Sequence, residues 1–209
     1  MPKIPVKISN IKISTSLKSI SPTKLKSLCE DEDVEYKEHS NFIIFKLIDE
    51  NPCDDCAKKT ENCAHTYTIF KPNSKSQKKV HANICGIKEN QIDESIKKLR
   101  KFLDQNFLEY HLERIPYKID TITGTAKLGH EIILRKFLEK NQNEAGNKVK
   151  YNPEAFPSVF LTRDNITYAI FSTGSINIIG AKSREDIESK IDYVIEKCME
   201  CTSKNESHE

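Results

Sequence analysis

No run in this 209-residue chain approaches the roughly 18 consecutive apolar residues of a membrane-spanning helix. The first residues also lack the apolar stretch of a secretory signal, so the chain reads as soluble and intracellular, with no membrane partner expected. Arginine is scarce: only Arg100, Arg114, Arg135, Arg163 and Arg184 carry a guanidinium among 33 basic residues. With a net charge of only +2, no global basic field announces a polyanionic partner, and any basic surface has to be local. The lysine bias, together with the many Ile and Asn residues, suggests an A+T-rich genome. A disulfide framework is not expected either. The seven cysteines are odd in number and unevenly spaced, which in a reducing compartment favours free thiols or metal ligands.

What is present occurs twice. "VKISNIKISTSLKSISPTKLKSL" (6–28) resembles "YKIDTITGTAKLGHEIILRKFL" (117–138), and Tyr36 opens "YKEHSNFIIFKL" as Tyr151 opens "YNPEAFPSVFL". "YTIF" (67–70) matches "YAIF" (168–171), and "NICGIK" (83–88) matches "NIIGAK" (177–182). A helical apolar spacing follows each time: Ile92, Ile96, Leu99 and Leu103, then Ile187, Ile191, Val194 and Cys198. Asn90 with Asp93, and Ser183 with Asp186, give the capping signals. Matches kept in this order imply a tandem duplication.

Each half reads as strand, short helix, three or four strands and long helix. Asn10, Lys12, Ser14 and Ser16 share one side of the first strand, as Thr121, Thr123 and Thr125 do in the second half. Amphipathic helices then cover one face of an antiparallel sheet and leave the other open, which makes the predicted class α+β. In "AIFSTGSINIIGAK" (169–182), Phe171 stands at the lip of a tight turn, beside a face carrying Ser175, Asn177 and Ile179. That is an exposed aromatic next to a half-polar sheet.

The halves differ by insertion. Tyr36 to Phe70 is 14 residues longer than Tyr151 to Phe171, and "CDDCAKKTENCAH" (53–65) closely accounts for the surplus. Cys53, Cys56, Cys63 and His65 form C-x2-C-x6-C-x-H, four soft ligands able to close a structural zinc site in a loop too small for its own core. The alternative is a reduced loop. A second insertion, "KPNSKSQKK" (71–79), gives a basic turn for phosphates or solvent. Cys198 and Cys201 make another C-x2-C, but Cys198 falls on the core side of its helix. Four protein ligands leave a metal no open position for chemistry, so neither an enzyme nor a small-molecule substrate is expected.

"YNPEAFPSVF…AIFSTGSINIIGAK" and "ISNIKIST" resemble the TATA-binding protein family, specifically in the second half and more distantly in the first. The resemblance implies a saddle: two tandem repeats forming one curved antiparallel sheet with helices on the convex face. It divides the chain into a first repeat at 5–105 with an inserted Cys/His stirrup at 50–66, a linker at 106–116, a second repeat at 117–201 and a disordered tail at 202–209. It further implies binding in the DNA minor groove, where phenylalanine wedges unstack base steps and kink the duplex. The family's wedges fall on Phe156, Phe171 and Phe70, while the fourth falls on Asn41 with Phe42 beside it. Asn10, Lys12, Asn83, Thr121, Thr123, Asn177 and Ile179 are the implied contacts on the groove floor. Thr121 replaces a family asparagine, Lys12 an apolar residue, and Ser175 a lysine.

The implied function is a transcription initiation factor that bends A+T-rich promoter DNA. Through Glu154 on the second stirrup it would recruit a transcription-factor-IIB-like protein and the RNA polymerase machinery. The expected place of work is the nucleus. The A+T-rich bias would also suit a parasite or a large DNA virus, and for a viral protein the place would be a cytoplasmic factory or the virion. The competing reading is a protein-interaction scaffold that kept the saddle and lost strong DNA binding, favoured by the polar floor, Thr121 and Ser175.

Overall fold

The computed structural model describes residues 4–48, 64–74, 76–104 and 116–202. They fall into two compact units, one of Asn10–Asp120 and the other of Thr121 onward with the residues up to Ser9. The first unit contains β1 (Lys7–Lys18), α1 (Pro22–Asp31), β2 (Tyr36–Glu38), β3 (Phe42–Ile48), β4 (Ala64–Phe70), β5 (Lys79–Ile87) and α2 (Ile92–Asp104). The second contains β6 (Tyr117–Lys127), α3 (Leu134–Asn141), β7 (Lys148–Tyr151), β8 (Ser158–Arg163), β9 (Ile166–Phe171), β10 (Ser175–Ala181), α4 (Arg184–Glu188) and α5 (Ile191–Met199). The unit boundary cuts across β1 and β6. Strand order is β2-β3-β4-β5-β1 in the first unit and β6-β10-β9-β8-β7 in the second. Every pairing between these neighbours is antiparallel.

Alternation decides which side of each sheet meets the helices. In β4, His65, Tyr67 and Ile69 are buried, while Thr66, Thr68 and Phe70 point the other way and stay half-buried. Tyr67 stacks on Phe45 with ring centroids 5.4 Å apart, and Phe102 of α2 packs on Phe45 at 5.1 Å. The Tyr67 hydroxyl donates to the Ser95 carbonyl at 3.0 Å, so the one polar atom of this buried ring is satisfied by the helix above it. In the second unit Phe137, Leu161, Ile170, Ile178, Val194 and Cys198 are fully buried. Truncating Phe137 to alanine there would cost about 3–5 kcal/mol.

The repeated glycine of "NICGIK" and "NIIGAK" has a backbone reason. Gly86 and Gly180 take φ of +84° and +103° where the ladders to β1 and β6 slip by one residue. A side chain is strained in that conformation, so glycine sets the bulge in both units.

Ser21 occupies the α1 cap position, with Pro22 opening the helix, and makes no side-chain cap bond. Two local expectations are corrected. Asn90 does not cap α2. Glu89–Gln91 form a 3-10 turn in which the Lys88 amide donates to Gln91 Oε1 at 3.1 Å. The expected single long helix of the second unit breaks between Glu188 and Ile191, although Ser183 caps its start, accepting from the Asp186 amide at 3.1 Å.

Candidate nucleic-acid interface

The helix-free face of the second unit is built by four strands. Asn177 stands opposite Thr125 and Ala169, and Ile179 opposite Thr123 and Thr167. Ile179 is 43% exposed, an unusual state for an isoleucine in the middle of a strand. Thr121 lies on the same strand as Thr123, and its Oγ1 is buried without a hydrogen-bond partner among the described residues. At the far end Phe156 is 45% exposed and Phe171 half-buried, with centroids 6.0 Å apart. Phe160, two strand positions beyond Ser158, packs against Phe156 at 5.4 Å. The alternation of "FPSVF" carried that signal, since Val159 and Leu161 point inward.

The turn bearing Phe171 is fixed by its surroundings. The Gly174 amide donates to the Phe171 carbonyl at 3.0 Å, and the Ser172 carbonyl accepts from the Ile132 amide at 2.8 Å. Gly174 holds φ +76°, with the His130 carbonyl where a Cβ would go.

The first unit carries the same arrangement in a different sequence register. Phe42 stands directly opposite Phe70, the ladder place that Ser158 holds opposite Phe171. Asn41 is spent on the turn, its carbonyl accepting from the Lys71 amide at 2.8 Å. Thr68 faces Asn83, and Asn83 faces Ser14. Asn10 also serves the backbone. Its Oδ1 accepts from the Gly86 amide at 2.8 Å and closes the bulge.

Lys12 and Ser14 alternate outward from buried Ile11 and Ile13, and both meet Asp120, a residue not anticipated for this face. Ser14 Oγ donates to Asp120 Oδ1 at 2.8 Å, and Lys12 Nζ lies 3.6 Å from Oδ2. Cys85 belongs to the same group: burial pushes its thiol up from its ordinary value, with Lys12 and Asp120 acting on it in opposite directions. No local pattern could report these contacts, which join residues more than 100 positions apart.

Cys53, Cys56 and Cys63 lie outside the described residues. His65 is buried, and its Nδ1 meets Ser95 Oγ at 2.8 Å on the helix side of the sheet. Burial holds its imidazole below the ordinary value, against the opposing effects of a hydrogen bond with Gln91 and the charge of Glu94. Cys198 and Cys201 are buried thiols raised by desolvation. Glu154 is exposed in the turn that the Asn152 carbonyl closes by accepting from the Ala155 and Phe156 amides.

Residues 116–201 match the family model described as transcription factor TFIID, or TATA-binding protein. That stretch, about two fifths of the chain, is similar to the TATA-binding protein family. The TATA-box-binding protein of Pyrobaculum neutrophilum is 35% identical over 77 residues, 36% of this chain and 36% of its own length. That of Pyrococcus abyssi is 34% identical over 85 residues, 40% of this chain and 42% of its own. The matched stretch thus spans about two fifths of these TATA-box-binding proteins. The solved structure of Methanococcus jannaschii TBP superimposes with a TM-score of 0.63 at 21% identity, covering 93% of this chain and 98% of that one. The TATA-binding-protein fold therefore extends into the first unit, where sequence likeness has faded. The family model describes a transcription factor.

Proposed function

We propose that the chain is a transcription initiation factor that binds duplex DNA in the minor groove and bends it. The observation that carries this reading is the pair of phenylalanines on the open face of each unit, held in nearly the same ring geometry by different backbone positions. An apolar wedge inserted at a base step offsets an unstacking cost of a few kcal/mol, and the kinked duplex then meets more protein surface. Ile179, Asn177 and Thr123 would lie against the groove floor in one unit, and Asn83 and Lys12 in the other. Glu154 would dock a transcription-factor-IIB-like protein and, with it, the polymerase machinery. The place of work is the nucleus in a eukaryote, or a cytoplasmic factory or virion for a viral protein.

A structural zinc held by Cys53, Cys56, Cys63 and His65 belongs to the same proposal, as does the division into repeats at 5–105 and 117–201. A scaffold that lost DNA binding is the second reading, supported by Asp120, whose carboxylate neutralises Lys12 on the open face. Fluorescence transfer across an A+T-rich duplex labelled at both ends separates the two. Salt-sensitive binding with a bend is expected, and a straight or unbound duplex at low salt would favour the scaffold.

A further inference from the structure

Asp120 is the feature of the open face that minor-groove binding does not call for. Along A·T pairs the groove floor shows only acceptors, adenine N3 and thymine O2, and a carboxylate is itself acceptor-only. Set against such a floor, Asp120 would lose water and gain repulsion. A G·C pair differs by one group, the guanine N2 amino group, which is the groove's donor.

Asp120 is built to stay. Its two oxygens are held by Ser14 Oγ at 2.8 Å and Lys12 Nζ at 3.6 Å, and its side chain keeps 29% exposure. Lys12, at 35% exposure, brings a cationic donor beside it. Asn83 stands opposite Ser14 in the ladder and adds an amide to the group. The cluster therefore offers an acceptor and a donor side by side. A G·C pair with its neighbouring acceptor would satisfy both, and an A·T pair only one.

We infer that Asp120, positioned by Ser14 and Lys12, reads a guanine amino group in the minor groove and sets a preference for one G·C pair within the bound site. This rests on the minor-groove reading proposed above. A single G·C pair is walked through an A+T-rich duplex and binding is measured at each position. The set is then repeated with inosine for guanine, which deletes only the N2 amino group. The expected result is one position where G·C binds about tenfold tighter than A·T, with the gain lost on inosine, as suits one good base contact. Asp120→Ala should bind the three duplexes alike at that position, and Asp120→Asn, which keeps an acceptor, should retain part of the preference.

Equal binding of guanine and inosine duplexes at every position by the native chain would overturn the inference while leaving minor-groove binding intact. So would a guanine preference unchanged in Asp120→Ala. Failure to bind any duplex at low salt would instead bring down the minor-groove reading, and this inference with it.

Discussion

Phe42 lies edge-on to Phe70, with ring centroids 5.8 Å apart and planes at 62°. Phe156 and Phe171 repeat that relationship at 6.0 Å and 60°. Yet Phe42 is in the ladder directly opposite its partner, whereas Phe156 precedes the strand and Ser158 holds the opposing place. Edge-to-face pairing of rings carries a preference of about 0.5–1.5 kcal/mol, so the two phenylalanines of each pair steady each other. The ring geometry is kept although the backbone position that supplies it is not.

The turn carrying Phe171 depends on Gly174. Gly174→Ala puts a methyl group into the His130 carbonyl at φ +76°, whereas Gly129→Ala, at φ +73°, meets nothing within 4 Å. Gly129→Ala is expected to cost about 1–2 kcal/mol, the left-handed penalty alone. Gly174→Ala should cost clearly more in a thermal or urea melt. Equal losses would mean that the hairpin is not packed as described.

His65 gives the fold a pH dependence. Burial lowers its folded value below the ordinary 6.5, so the neutral imidazole is the form that the fold keeps. Its contribution is fully present above about pH 6.5 and is lost as pH falls through that value toward the lower folded one. The midpoint temperature should drop between pH 7 and pH 5, and His65→Gln should flatten that drop. An unchanged slope in the variant would assign the acid sensitivity to other groups.

Metal analysis addresses the inserted loop. About one zinc per chain is expected, lost when Cys53 and Cys56 both become serine, with the two units still folded on their own cores. Full metal retention in that double variant would remove those residues as ligands. His65 would have to serve such a site from its buried place beside Ser95.

Glu154 is exposed beside Phe156, on a turn closed by its own backbone bonds. Glu154→Arg should weaken a factor-IIB-like partner by about tenfold while leaving binding to bare DNA within about threefold, since a rim charge acts mainly on its own contact. Equal loss of both would point to damage to the fold.

Much of the second unit was legible because period-two alternation is a local signal. Phe171, Asn177 and Ile179 fall where alternate residues must, opposite buried Ile170, Ile176 and Ile178. At Phe42 counting alone lands one residue away. Aligning Tyr36 with Tyr151 places the first wedge on Asn41, but the stretch before the paired strand is one residue shorter in the first unit, so a different residue meets Phe70. Asn10 has a further structural role that the sequence did not display. Its amide serves the Gly86 bulge, a tertiary need that no strand pattern displays. Asp120 adjoins Thr121, and strict alternation assigns only one of the two to the open face. Its contacts with Lys12 and Ser14 exist only once distant strands meet.

The most direct measurement is a bending assay and a thermal melt on one double variant, Phe156→Ala with Phe171→Ala. Phe156 is 45% exposed and Phe171 half-buried, so the pair contributes less burial than a core ring and the melt should move clearly less than it does for a core truncation. Phe137→Ala, fully buried, serves as the comparison and should lose about 3–5 kcal/mol. With the wedges gone, weak salt-sensitive association should persist while the bend disappears, because nothing fills the opened base step. A bend retained at native amplitude, or a loss of stability as large as that of Phe137→Ala, would contradict the assignment of these phenylalanines as wedges.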